Sequence, residues 1–220
     1  MGYEWSFGSL WRYRMLFVTG VEVTLAYTVG TIVLGLLLGL LIGIARLSKF
    51  KLINWPLIGF IEAFRCTPIL VQIVWFYYAL PVITGWDIPK LAAATMVLTF
   101  YTAAFYAEIF RAGIISIEAG QWDAARALGL RRWPLMRRVI LPQAVKRMIP
   151  PFMNQSIIQL KNTSLVSTIA VPDLLYQGQL VNAELYRPLE VYTIVALVYF
   201  ALLFPATVFA QVYERRLAKS

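Results

Sequence analysis

Lys161 stands inside a run of uncharged, mostly apolar residues, and Asn162, Thr163 and Ser164 follow it. An ammonium, an amide and two hydroxyls in succession can hold a carboxylate together with a polar side chain. The same lysine could instead be only a structural partner for a carboxylate or a helix end. Ionisable groups in such surroundings are costly and are candidates for function. Two more groups of this kind occur. Glu62 and Arg65 precede Cys66, Thr67, Pro68 and Gln72, and Glu108 precedes Arg111. Each acid lies three residues before its arginine, so the two meet on one face of a helix. They read either as intrahelical ion pairs that ease burial at a membrane edge or as a gating contact between subunits. Arg65, Thr67 and Gln72 are candidate lining for the path that Lys161 marks. Pro68 frees a backbone carbonyl and can kink its helix. Gln72 lies one turn beyond, facing the same cavity or bonding to a neighbouring helix.

None of this is catalytic equipment. The 220 residues include no histidine and one cysteine, Cys66. That removes histidine-based metal sites, histidine-dependent triads, histidine proton relays and any intrachain disulfide. No G-x-x-x-x-G-K-[ST] phosphate loop occurs, so ATP, if it drives the protein, is bound by another chain. The net charge of +9 does not point to nucleic acid, because the basic residues sit in blocks between apolar runs. That pattern belongs to membrane topology. At 60% hydrophobic the chain exceeds the roughly 45–50% of soluble domains.

The elements that must position these residues are membrane helices. Apolar runs of about twenty residues, enough to cross a bilayer, predict an all-α integral membrane protein with five spans at approximately 20–45, 60–84, 90–111, 148–172 and 191–213, in one domain covering residues 1–220. Gly35, Gly39 and Gly43 form successive G-x-x-x-G steps in the first span, suited to close packing within one subunit or across a dimer. The basic clusters at Arg46, Lys49 and Lys51, between 111 and 147, and at the tail belong inside. The amino terminus is therefore expected outside and the carboxyl terminus in the cytoplasm.

The polar stretch 116–147 between the third and fourth spans is the longest cytoplasmic loop. Gly120 and Gln121 open a short helix with Asp123 in its first turn, where a negative charge suits the helix dipole. Ala124, Ala125, Ala127 and Leu128 favour helix, Gly129 can end it, and a second short helix begins near Pro134 and is limited by Pro142. Arg131, Arg132, Arg137 and Arg138 flank the surface. By physics alone the pair either lies on anionic membrane lipid or presents its small alanines to a partner.

The loop resembles the "EAA" signature of ABC-importer permeases: Glu-Ala-Ala, three residues, Gly, about nine more, and an Ile-x-Leu-Pro-like ending. This chain has Asp123, Ala124, Ala125, then Gly129, then Ile140, Leu141 and Pro142, with Asp in place of the usual Glu. The stretches 64–72, 107–114, 141–143 and 160–165 are similar to the polar amino acid subfamily, except that Cys66 replaces the usual Gly. The resemblance implies a coupling helix that docks on two cytoplasmic ABC ATPases, which hold the ATP and magnesium. It also implies a second permease copy or related subunit, an extracytoplasmic amino acid-binding protein, a bacterial inner-membrane location, and alternating access without chemistry in this chain. Permeases of the family that bind substrate use the region of Lys161. Neutral Asn162, where relatives often carry Asp, leans the cargo towards glutamine or glutamate. An ion-coupled carrier or channel is the alternative, but a proton-driven carrier needs mid-span carboxylates or histidines, and here the carboxylates cluster at span ends.

Overall fold

The computed structural model describes residues 3–48 and 50–217, so Lys49 of the first basic cluster lies outside the described residues. Its regular structure is entirely helical. A 3-10 turn at Phe7–Tyr13 leads into α1, Arg14–Ala45. α2 (Lys51–Cys66), α3 (Ile69–Val74), α4 (Leu80–Thr84) and α5 (Lys90–Ile115) follow. α6 (Ala119–Ala127), α7 (Arg132–Leu135) and α8 (Leu141–Asn162) come next, then α9 (Leu174–Leu185) and α10 (Pro188–Leu217).

The glycine steps of α1 are used within the subunit. A Cβ on Gly35 would meet Thr102, one on Gly39 would meet Tyr106, and one on Gly43 would meet Phe110. Both series rise by four, so α1 and α5 run parallel and nearly touch backbone to backbone. The buried threonines Thr28 and Thr102 satisfy their hydroxyls on the carbonyls of Thr24 and Leu98, each 2.7 Å away, within their own helices. The tight seam therefore leaves these two hydroxyls satisfied.

Three helical stretches are long and apolar enough to cross a membrane: Phe7–Ala45, Lys90–Ile115 and Pro188–Leu217. The bent pair Lys51–Cys66 and Ile69–Thr84 makes a fourth if taken as one span. The stretch expected at 60–84 is thus not one kinked helix; its two parts meet at 108°. Proline pushes the residue before it out of the helical region, and Thr67 is extended at φ −109°, ψ 137°. The expected fourth span also differs. Its helix, α8, is too polar to pass as a span by composition, carrying Arg147, Asn154, Gln155 and Gln159 along with Pro150 and Pro151.

Pro142 does not limit the second short helix. α7 continues through a π-turn, Met136–Ile140, into α8. In that turn the Leu141 N–H reaches back five residues to the Met136 carbonyl. The buried face accordingly reads Leu135, Ile140, Ala144, Met148, with one step of five before the steps of four. Trp75–Ala79 repeats the device, with Leu80 bonded to the Trp75 carbonyl and Pro81 next. Proline enters both helices where the i−4 pattern is already broken.

The connection expected at 173–190 contains α9. Asp173 caps it, accepting from the Tyr176 N–H at 2.9 Å. The Leu174 N–H donates to Thr24 Oγ1 at 3.1 Å, and Gly20 lets α9 approach α1. At the far end the buried Glu190 accepts from Tyr3 Oη, from the Ser6 N–H at 3.1 Å and from Arg187 at 2.9 Å. This carboxylate ties the first described residues to the start of α10.

Candidate functional site

Two regions carry the expected functional residues. The first is the α6–α7 hairpin. Glu118 sits at the N-cap of α6, and Gly129 ends it at φ 72°, a left-handed backbone only glycine adopts freely. The Leu130 N–H bonds the Ala125 carbonyl at 3.2 Å and the Gly129 N–H bonds the Arg126 carbonyl at 2.9 Å. These are the two bonds of a Schellman stop. Asp123 falls in the middle of α6, not its first turn, because the helix starts at Ala119; its partner is Arg126 at 3.2 Å. The dipole argument for Asp123 therefore does not hold, and the i,i+3 pair replaces it.

α6 has one buried alanine. Ala125 packs into the cluster of Ile117, Leu135, Ile140, Ala144 and Met148. Asp123, Ala124, Ala127 and Leu128 face outward, with Leu128 80% exposed. Leu128 and the small residues beside it form a solvent-facing apolar edge at the helix end. Ile140 is buried, Leu141 half-buried and Pro142 exposed, so Ile140 anchors the hairpin where Pro142 could touch something beyond it. Gln143 bonds Gln121 at 3.3 Å, tying α6 to α8, and Arg147 bonds the Ser116 carbonyl at the end of α5.

The second region lies along α5. Lys161 is exposed, Asn162 and Ser164 are half-buried and Thr163 is buried. The Thr163 and Ser164 hydroxyls bond locally, to the Leu160 and Lys161 carbonyls at 2.7 and 2.8 Å. Asn162 neighbours Tyr101, and its buried amide nitrogen makes no hydrogen bond of ordinary geometry among the described residues. The Tyr101 and Phe105 rings are 4.8 Å apart, and the Arg65 guanidinium lies 5.4 Å from the Phe105 ring centre. Asn162 and Arg65 thus attach to successive turns of one α5 face. Thr67 is exposed at the break, beside them in sequence. Gln72 is turned elsewhere: it is buried, and its amide donates to the Phe64 and Thr67 carbonyls at 2.9 Å each. It satisfies the carbonyls that Pro68 and the break leave free, which is the neighbour-bonding role and not a lining one.

The two expected ion pairs differ in strength of geometry. Glu108 accepts from Arg111 at 2.8 Å and from Arg46 of α1 at 3.5 Å, mostly out of solvent. Glu62 and Arg65 stand 3.7 Å apart and more exposed, with Cys66 Sγ also on Glu62 at 3.2 Å. Several polar residues carry more structure than their sequence positions suggested. Gln159 is fully buried and reaches Thr31 at 2.9 Å, and Gln155 is buried with an unpaired amide nitrogen. Their four-residue spacing was the available signal. Among the described residues no group of acidic and cysteine side chains is arranged to hold a metal.

Broken helices, buried amides and a lone charge facing open space describe a solute-moving membrane protein. The profile of the family described as "Binding-protein-dependent transport system inner membrane component" matches residues 22–219. The chain is 38% identical to the glutamine transport system permease protein GlnP of Escherichia coli (strain K12), covering 99% of both. It is 33% identical to the arginine transport system permease protein ArtQ of Bacillus subtilis (strain 168), covering 90% of each. Among solved structures, an amino acid ABC transporter crystallised with histidines has a chain superposing at a TM-score of 0.91 with 36% identity, over 97% of this chain and all of that one. The MetNI methionine ABC transporter, at 22% identity and a TM-score of 0.73 over 97% of this chain and 99% of that one, shares the fold. The protein is a multi-span permease subunit of the bacterial inner membrane. It belongs to the binding-protein-dependent transport family, in which ATP is hydrolysed by a separate ATPase subunit and the permease catalyses no chemistry.

Proposed function

We propose that this chain carries polar amino acids of the glutamine or glutamate type into the cytoplasm, driven by ATPases docked on the α6–α7 hairpin. Family membership supports the importer architecture of paired permeases, ATPases and a binding protein, and sets aside the ion-coupled carrier. The observation that carries the docking assignment is the division of α6: Ala125 buried as an anchor, with Asp123, Ala124, Ala127 and Leu128 exposed around it. Gly129 and Pro142 bound that surface. With this face cytoplasmic, the topology has five spans, the amino terminus outside and the carboxyl terminus inside.

Cargo is assigned to the neighbourhood of Lys161, Asn162 and Arg65, with Thr163, Ser164 and Thr67 shaping the backbone around them. Two cations suit a carboxylate, and the buried amide of Asn162 suits a neutral polar side chain. An aspartate at that place would attract basic amino acids by Coulomb force; asparagine does not. The names of the glutamine permeases among the relatives agree with this lean. Glu62 and Arg65, and Glu108 with Arg111, are read as structural pairs at the membrane edge.

Leu128→Glu tests the docking surface. It should abolish co-purification of the ATPase while leaving the permease folded; an intact complex with normal amino acid-stimulated ATP hydrolysis would refute the assignment. A panel of amino acids with their binding protein, read as ATPase stimulation, tests the cargo, and a preference for arginine or lysine would overturn it.

A further inference from the structure

One face of α8 is turned away from the core. Arg147, Pro151, Asn154 and Lys161 on it are exposed and Ile158 is half-buried, whereas Ala144, Met148, Gln155 and Gln159 are buried about a quarter-turn away around the helix. Alternating steps of four and three keep these five residues on a single stripe. Its polar members, Arg147, Asn154 and Lys161, recur every seven residues, about 10 Å apart along the helix. Arg147 therefore ends a ladder that begins at Lys161.

At that end is a cavity of about 460 Å³ with Arg65, Phe105, Glu108, Ser116, Arg147 and Pro151 in its wall. The size is that of small-molecule sites. Its charge is cationic. Glu108 is matched by both Arg46 and Arg111, and Glu62 lies 3.7 Å from Arg65. Among the described residues Arg147 bonds the Ser116 carbonyl and has no carboxylate partner. Two guanidinium groups, Arg65 and Arg147, and one carboxylate, Glu108, thus stand in the wall, and apolar walls such as Phe105 and Pro151 concentrate the resulting field. The potential favours an anion, and a planar guanidinium with free donors suits a carboxylate.

We infer that Arg147, in the wall of this cavity, forms a second carboxylate-binding station for the transported amino acid, reached from Lys161 along α8. The inference rests on the reading of Lys161 as part of the substrate path. Two stations along one open stripe let the carboxylate pass from one cation to the next, so it need not leave Lys161 directly for water.

Equilibrium binding of radiolabelled L-glutamine and L-glutamate to the nucleotide-free permease–ATPase complex, in phosphatidylcholine nanodiscs, tests it. The wild type should bind two molecules per permease chain. Arg147→Gln should weaken the second site tenfold or more, the order expected for a lost charge-assisted bond. Arg147→Lys, which keeps the cation and guards against a folding artefact, should restore most of it. Lys161→Met should weaken the first site and leave the second. A single site in the wild type, or an Arg147→Gln protein indistinguishable from it while Lys161→Met has lost binding, overturns the station alone. Binding unaffected by Lys161→Met overturns the Lys161 reading and the station with it. If the second site vanishes when phosphatidylglycerol replaces phosphatidylcholine, a lipid phosphate occupies the cavity and the amino acid assignment falls.

Discussion

A methyl group placed at Gly39 should separate the two helices that form the centre of the subunit. A Cβ there would stand 2.7 Å from the Tyr106 Cβ, 2.9 Å from the Ala103 carbonyl oxygen and 3.2 Å from the Ala107 nitrogen. Two of these neighbours are backbone and the third is a Cβ, so none can turn aside. Carbon contacts are optimal at about 3.5–4.0 Å, so α1 and α5 must move apart by most of an ångström. Overpacking of this kind costs about 1–3 kcal/mol, against which a helical alanine recovers about 0.8–1.0 kcal/mol over glycine. Gly30, on the same helix, has nothing within 4 Å of its added Cβ and serves as the internal control. Gly30→Ala should be neutral or stabilising and Gly39→Ala destabilising, leaving the two variants about 2 kcal/mol apart. Thermal unfolding of both proteins in nanodiscs of one lipid composition measures the gap. Equal stability, or Gly39→Ala the more stable, would refute the close approach of α1 and α5.

Burial raises the Asp173 carboxyl from its ordinary value of 3.8 to about 6, in the connection that follows the expected fourth span. The folded protein then holds a proton that the unfolded chain releases, so this contribution is complete below pH 4 and is lost as pH rises through 6. Two units correspond to about 3 kcal/mol; Asp173→Asn, which keeps the helix cap, should flatten that slope in unfolding scans at pH 4 to 7, and an unchanged slope would exclude Asp173 as its source. Gln72→Leu should free the Phe64 and Thr67 carbonyls and destabilise the fold by about 1–3 kcal/mol, with faster amide exchange just after the break as the readout. Glu190→Gln should weaken the tie to Tyr3, Ser6 and Arg187 and make the amino-terminal segment a site of rapid proteolysis, while a cleavage pattern identical to the wild type would deny that role.

The membrane class, the hairpin at 119–135 and both i,i+3 ion pairs were legible from residue types and spacing, because each rests on contacts within a few residues. Gly129 could be read as a helix stop because a left-handed backbone selects glycine locally. What escaped depends on partners far along the chain. Nothing near Pro142 reveals that a π-turn has already freed it from ending a helix. Gln72 looked like pore lining until the 108° break placed two free carbonyls within its reach. The glycine steps of α1 could not choose between a partner subunit and α5 until Thr102, Tyr106 and Phe110 were seen opposite them. The span expected at 148–172 is more polar than its length suggested, and its Gln159 is satisfied on Thr31 of α1 and Leu98 of α5, a compensation invisible to hydropathy.

The five-residue step between Leu135 and Ile140 also sets an angle. Residues 132–162 form one continuous shaft of roughly 46 Å, half as long again as the hydrocarbon core of a bilayer. The hairpin is mounted at one end and Lys161 near the other, so their bearings around the axis are locked together. Removing one residue from the π-turn would relax it to ordinary helix and leave downstream bonds intact. It would also swing the hairpin about 100° around the shaft relative to Lys161. The extra residue is a timing mark, without which the end that carries the hairpin and the end that carries Lys161 could each be sound and yet face the wrong way for one another.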